Sequence, residues 1–248
     1  MGALIAMPGG LLAGGSVALR ALACALAGLA VAPAIGYACD AAAPAPWTSD
    51  PGTVVVADNF EGGLGDWSVA QGGNGRVTTQ TQNVRSGDCA ARISVSANWD
   101  SLAHMTRALP GGTDEVWSDG WFNFEKQGAS SSWNLPTFRF FSGGKRVLDV
   151  SRQNQSNGLF VRYPNGSGGW TIRSTGLYPS LWRWYHVRIH AIAKWSQSTV
   201  EVWLDGNRIF ATTSATLGTG QLNQQMVGAD HARQEGVVSV DDVVVKAR

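Results

Sequence analysis

Residues Thr199–Phe210 read TVEVWLDGNRIF, and this stretch decides the fold class. Val200, Val202 and Leu204 alternate with Glu201, Trp203 and Asp205, the period-two pattern of a strand with one buried face. Asp205-Gly206-Asn207 then offers the positive backbone φ of a tight hairpin, and Ile209, Phe210 and Ala211 resume an apolar run. The segment is therefore expected to be two antiparallel strands. Its Val and Leu side faces a core, and Glu201 and Trp203 face outward.

The same grammar extends along most of the chain. Eleven further runs, at residues 53–60, 76–84, 89–97, 118–126, 137–142, 145–153, 158–164, 169–175, 184–194, 207–213 and 236–247, are short and rich in β-branched or aromatic residues; with 198–205 they make twelve predicted strands. Gly-, Asn- and Ser-rich breaks such as QGGNG, LPGGTD, QSNG and PNGSGG separate them. No window sustains a helical period. The expectation is an all-β, two-sheet antiparallel sandwich rather than a parallel α/β fold.

Not all of the 248 residues belong to that sandwich. Arg20 is the first charged residue and Asp40 the next, and the run ALACALAGLAVAPAIGYA ends with Gly36 and Ala38 at the −3 and −1 positions of a signal-peptidase site. Residues 1–38 therefore read as an export signal, with a membrane anchor as the alternative, and the mature protein as secreted. Residues 39–52, Pro- and Ala-rich, read as an extended lead-in, and 53–248 as one β-sandwich domain. Loss of the leader removes Arg20 and leaves 18 basic residues against 18 acidic ones. That balance points away from nucleic acid and from an anionic membrane surface as partners. Cys24 falls in the leader; in an oxidising exterior Cys39 and Cys89 are expected to form a disulfide, with free thiols or a lipidated Cys39 as the alternatives. The protein is expected to act as a monomer.

A family resemblance rests on WRWYHVRIHAIAKWSQSTVEVWLDGNRIF (residues 182–210), with DNFEGGLGDWS (58–68) and SVDDVVV (239–245) at the two ends of the sandwich. These stretches resemble concanavalin A-like lectin/glucanase domains, including the laminin-G-like members, which are jelly rolls. That fold hosts lectins, adhesion modules, glycoside hydrolases and polysaccharide lyases, so the resemblance implies a carbohydrate-related protein without fixing its activity. It also implies that the terminal strands pair, bringing Asp58 and Glu61 near Asp241 and Asp242. Carboxylate oxygens suit a structural calcium ion, with solvated acids as the alternative.

Eleven tryptophans supply candidate sugar platforms, because C–H faces of sugars stack on aromatic rings. Trp67, Trp117 and Trp184 are expected in the core, and Trp121, Trp170 and Trp203 facing outward. Alternation turns Arg139 away from Phe138 and Phe140, places Asp149, Ser151 and Gln153 on one side, and pairs Phe160 with Arg162 and Val161 with Tyr163. The carbohydrate-binding candidates are Trp121, Arg139, Arg162, Tyr163 and Trp170. His186, Arg188 and His190 form a polar stripe, a substrate cleft on a concave sheet or a solvated face on a convex one.

Catalysis has uneven support. The Glu-x-Asp-x-x-Glu strand of the related glucanases is absent, and Asp119 and Glu125 stand about 20 Å apart on an extended strand, beyond the roughly 5–5.5 Å of a retaining pair. A lyase needs a base and a cation that neutralises the substrate carboxylate, for which Tyr163, His186, His190 and Arg139 are the candidates. The primary expectation is a secreted polysaccharide-binding protein. A lyase acting on a uronic-acid polymer is the alternative, and an adhesion module the third reading.

Overall fold

The computed structural model describes residues 39–248 apart from 130 and 132; the expected leader at 1–38 lies outside the described residues. The strands are β1 (Thr53–Asp58), β2 (Ser68–Gly72), β3 (Arg76–Gln80), β4 (Ala90–Val95), β5 (Leu102–Ala108), β6 (Glu115–Gln127), β7 (Asn134–Ser142) and β8 (Lys145–Gln153). They continue with β9 (Leu159–Pro164), β10 (Trp170–Ser174), β11 (Trp184–Ile192), β12 (Ser198–Leu204), β13 (Asn207–Ala215), β14 (Gln224–Ala229) and β15 (Gly236–Ala247). Two antiparallel sheets result. An eight-stranded sheet runs β13-β12-β11-β6-β15-β4-β3 with β1 also paired to β15, and a seven-stranded sheet runs β10-β9-β8-β7-β14-β5-β2. The architecture is the two-sheet jelly-roll sandwich.

The Thr199–Phe210 segment is the β12–β13 hairpin. Val200, Val202 and Leu204 are buried, and Asp205 and Gly206 turn the chain with φ of 49° and 80°, the left-handed pair that matches the twist of adjoining strands. Between the sheets pack the inward residues of both: Phe122 of β6 meets Phe138 of β7 edge-on, their rings 4.9 Å apart and fully buried. Each such ring contributes roughly 1.5–3 kcal/mol by leaving water.

Three strands lack the expected pattern: β2, β5 and β14. In β14, QQMVGA, only Val227 is β-branched, and in β5, LAHMTRA, only Thr106 is. Both are nevertheless interior to the seven-stranded sheet, β14 paired with β5 and β7. Burial of Ala103, Met105, Val227 and Ala229 stands in for β propensity. Gly228 shows why small residues are needed there: its φ is 102°, and a Cβ would come 2.7 Å from the Ala103 carbonyl oxygen.

The lead-in at 39–52 is tied to the sandwich at both ends. Cys39 and Cys89 are disulfide-bonded. Lys246 Nζ donates to the carbonyls of Thr48 and Asp50 at 2.7 and 2.8 Å, and Arg188 pairs with the Asp50 carboxylate. Among the described residues no helix is long and apolar enough to cross a membrane.

Candidate functional site

The register of the seven-stranded sheet lines up one row of outward side chains. Met226 of β14 stands opposite Arg139 of β7, Arg139 opposite Asp149 of β8, Asp149 opposite Arg162 of β9 and Arg162 opposite Ile172 of β10. Because Phe138 and Phe140 are buried in the core, alternation sends Arg139 to the outer face, as its sequence setting predicts.

Charge concentrates in that row. Arg139 Nε lies 2.9 Å from Asp149 and its Nη1 2.7 Å from Asp230, while Arg146 lies 3.4 Å from Asp149 and 3.9 Å from Asp230. Arg146 and Arg162 both sit over Trp170, 4.9 and 4.8 Å from its ring centre. Arg139 and Asp149 are fully buried beneath the surface, so Arg139 organises the floor, whereas Arg146 and Arg162 reach solvent. Three guanidinium groups against two carboxylates leave one net positive charge. Buried nitrogens without a hydrogen-bond or ion-pair partner remain on two of the three arginines: Arg139 Nη2 and Arg162 Nε. Unsatisfied buried donors on cations favour an arriving anion.

Local electrostatics set the protonation states. Burial pushes Asp230 upward, but Arg139, and after it Arg146, outweigh that effect and hold its carboxyl below the usual range. His231 is lowered by burial, with Arg139, Arg146 and Arg233 opposing its protonation and Asp230 favouring it. His104 is likewise lowered, chiefly by burial. Both imidazoles are therefore neutral at pH 7, when each can accept a proton.

Two cavities adjoin this row and share Trp133. One, of about 580 Å³, is lined by Trp99, Trp133, His231, Arg233 and Glu235; the other, of about 440 Å³, by Trp133, Asn134, Gln153, Arg162 and Ile172. Arg233 lies 4.8 Å from the Trp133 ring centre, His231 meets the ring edge-on at 5.3 Å, and Trp99 is 91% exposed. Aromatic rings, amides and arginines thus alternate along a path from Trp99 to Trp170. Trp99, Trp133, Arg146, Asp230 and His231 do not stand out in the sequence. Trp133 and His231 lie in segments joining strands and meet only because β7 neighbours β14.

Other expected site residues lie elsewhere. Tyr163 faces the core, against Phe210 at 6.4 Å, because it alternates with Arg162; it is a core residue and not a base or sugar contact. Trp121 is on the outer face of the eight-stranded sheet, 4.9 Å from His186 and covered by Arg85 at 4.0 Å, so it does not join Arg139, Arg162 and Trp170. The stripe of His186, Arg188 and His190 belongs to that same sheet, opposite the arginine row. There His186 bonds Asp119 at 2.7 Å, and His190 is held between Glu115 at 2.9 Å and Glu201 at 3.1 Å. The lyase set of Tyr163, His186, His190 and Arg139 is therefore not assembled. Trp67 is buried as expected, but Trp117 and Trp184 are partly exposed on the outer face, where Trp117 stacks on His190 at 3.8 Å.

The four acids expected around calcium are engaged by donors of the chain. Asp58 accepts from the Phe60 N–H and the Trp67 indole, both at 2.7 Å. Glu61 accepts from the backbone N–H groups of Asp40, Asp88 and Cys89, and Asp241 from those of Arg85, Ser86 and Asp242. Asp242 accepts from the Ser86 hydroxyl. Among the described residues the one three-membered cluster of possible ligands is Cys39, Glu61 and Cys89, whose sulfurs form the disulfide. As placed, the acids do not present a calcium ligand set: Asp58, Glu61 and Asp241 fasten loops through N–H donors and Asp242 through the Ser86 hydroxyl. Burial, and then Asp242 beside it, pushes Asp241 up to about 7 against its backbone hydrogen bonds.

No protein-family model matches the sequence, and no curated protein does. Solved structures do. Endo-β-1,4-glucuronan lyase from the fungus Trichoderma reesei superposes with a TM-score of 0.57 at 18% identity, over 75% of this chain and 92% of that one. The cellulose-induced protein Cip1 gives 0.58 at 16% identity, over 76% and 95%. Domain 4 of AbnA, an extracellular arabinanase of Geobacillus stearothermophilus solved with arabinotriose, gives 0.57 at 12% identity, over 80% and 94%. The chain shares their jelly-roll fold. At these identities the likeness establishes the architecture alone, and the chemistry of the site rests on the residues above.

Proposed function

We propose that this is a secreted polysaccharide-binding protein that takes an extended, carboxylate-bearing chain across the outer face of the seven-stranded sheet. The observation that carries the reading is the pair of adjoining cavities sharing Trp133, which lead to Arg162 beside the net-positive cluster of Arg139, Arg146 and Arg162. Trp133 and Trp170 supply stacking surfaces, Asn134 and Gln153 amide contacts to hydroxyls, and Arg146 and Arg162 the charge that a uronate carboxylate satisfies. That solved structures of this fold include a glucuronan lyase and an arabinotriose-bound domain supports a saccharide ligand.

Electrophoresis of the protein through gels containing polygalacturonate, alginate, xylan or a neutral β-glucan tests this. The uronic-acid polymers should retard the wild type, and Trp133→Ala should abolish most of that retardation. Mobility unchanged by every acidic polymer would refute the proposal.

The neutral imidazoles of His231 and His104 at the same face favour a second reading, β-elimination on the bound uronic-acid chain with one of them as base. Ultraviolet absorbance from unsaturated product, lost in His231→Ala or His104→Ala with polymer retardation retained, would establish it. No absorbance change on any retarding polymer would leave binding as the function.

A further inference from the structure

The opposite face of the sandwich carries a second row with different chemistry. In the eight-stranded sheet Thr78 of β3 stands opposite Arg92 of β4, Arg92 opposite Ser239 of β15, Ser239 opposite Asn123 of β6 and Asn123 opposite Trp184 of β11. The arginine row finds its counterpart here in hydroxyls and amides. The single cation, Arg92, is cancelled by Glu125 at 2.8 Å, and Glu125 is further satisfied by Asn83 at 2.9 Å and Ser239 at 2.5 Å.

A cavity of about 660 Å³ opens over part of this row, lined among others by Thr78, Gln80, Asn83, Arg92, Glu125 and Trp182. Trp182 is the unusual member. Its φ is 60°, a left-handed conformation that costs a bulky residue energy and persists where its surroundings enforce it. Its N–H donates to the Phe124 carbonyl at 2.9 Å, fixing the backbone, yet its side chain leaves the residue 67% exposed. The fold thus holds a strained backbone in place while presenting an indole to solvent beside a charge-balanced hollow lined by hydroxyls, amides and the Arg92–Glu125 pair. A core role does not account for that ring.

We propose that this hollow is a second saccharide site, for neutral oligosaccharide, with Trp182 as the stacking platform and the Thr78 hydroxyl and the second N–H of the Asn83 amide bonding sugar hydroxyls. Its cancelled charge separates it from the arginine row, which selects carboxylates. The two faces would let one protein cross-link an acidic and a neutral polymer. The site stands on Trp182 and its neighbours and does not depend on the acidic-chain reading.

Isothermal titration with neutral hexasaccharides (cello-, xylo- and mannohexaose) tests it. At least one should bind the wild type, and removing the platform in Trp182→Ala should weaken that ligand about tenfold. Trp182→Gly, which relieves the left-handed backbone, should weaken it equally without lowering the melting temperature, so that a folding defect is distinguishable from a lost platform. Trp133→Ala should leave neutral binding intact. Absence of binding by all three hexasaccharides, binding indifferent to both Trp182 variants, or binding lost in Trp133→Ala instead would overturn the proposal.

Discussion

Arg139→Met tests the buried charge cluster most sharply. Arg139 and Asp149 have no solvent exposure, and their 2.9 Å contact is supplemented around Asp149 by Arg146 at 3.4 Å and by the charge of Arg162 opposite it. Truncating one partner of a buried ion pair costs about 3–5 kcal/mol, because the other charge is left uncompensated. Arg146 remains, so the lower end, about 3 kcal/mol, is expected. With a urea m-value of about 2–3 kcal/mol/M for a domain this size, the unfolding midpoint should fall by about 1–1.5 M. Asp149→Leu should cost less, since Arg139 keeps Asp230 at 2.7 Å. The double variant Arg139→Met/Asp149→Leu, which removes that pair, should recover part of the loss, Asp230 still lacking its 2.7 Å partner, and be more stable than the two single losses added together imply. Midpoints by circular dichroism at fixed pH read all four proteins. A double variant as unstable as that sum would refute the claim that these residues compensate one another.

Three further outcomes follow from the fold. Reduction of Cys39–Cys89, which spans 50 residues of sequence, should lower stability by about 4 kcal/mol on the chain-entropy estimate, read as a drop in urea midpoint with added reductant. Asp241, pushed up to about 7 by burial, binds a proton in the folded state over a range where the unfolded chain has released it; its contribution therefore decreases as pH rises from about 4 to about 7. Wild-type stability minus that of Asp241→Asn should accordingly decline across that window, and a difference that rises or stays flat contradicts the assignment. Because the four acids at the chain ends are engaged by N–H and hydroxyl donors of the chain, adding calcium or chelator should leave the melting temperature unchanged; a calcium-dependent rise would show that these loops rearrange around an ion.

Alternation makes much of this architecture legible in the sequence. The β12–β13 hairpin, the outward turn of Arg139, Asp149 and Arg162, and the shared side of His186, Arg188 and His190 all follow from period two, because a strand has only two faces. Which sheet a strand joins is not local information. Arg162 and Trp170 therefore come together with Arg139 as expected, whereas Trp121 and the histidine stripe go to the other sheet. Tyr163, one step from Arg162, has to face the core, and its chemical versatility weighs less than its position. Hydrophobicity alone assigns Trp117 and Trp184 to the core, yet β6 and β11 place them on the outer face, Trp117 against His190 and Trp184 opposite Asn123. Trp133, Asp230 and His231 carry no periodic signal, and the long stretch of chain between them closes only through β7–β14 pairing.

Selectivity for carboxylate along the arginine row is the central claim. The most direct measurement titrates the protein calorimetrically with a uronic-acid hexasaccharide and with the same hexasaccharide after its carboxyls are reduced to alcohols. Carboxylate recognition by Arg146 and Arg162 predicts that reduction weakens binding about tenfold or more and that Arg162→Gln removes most of the difference. Equal affinity for the two ligands would contradict it.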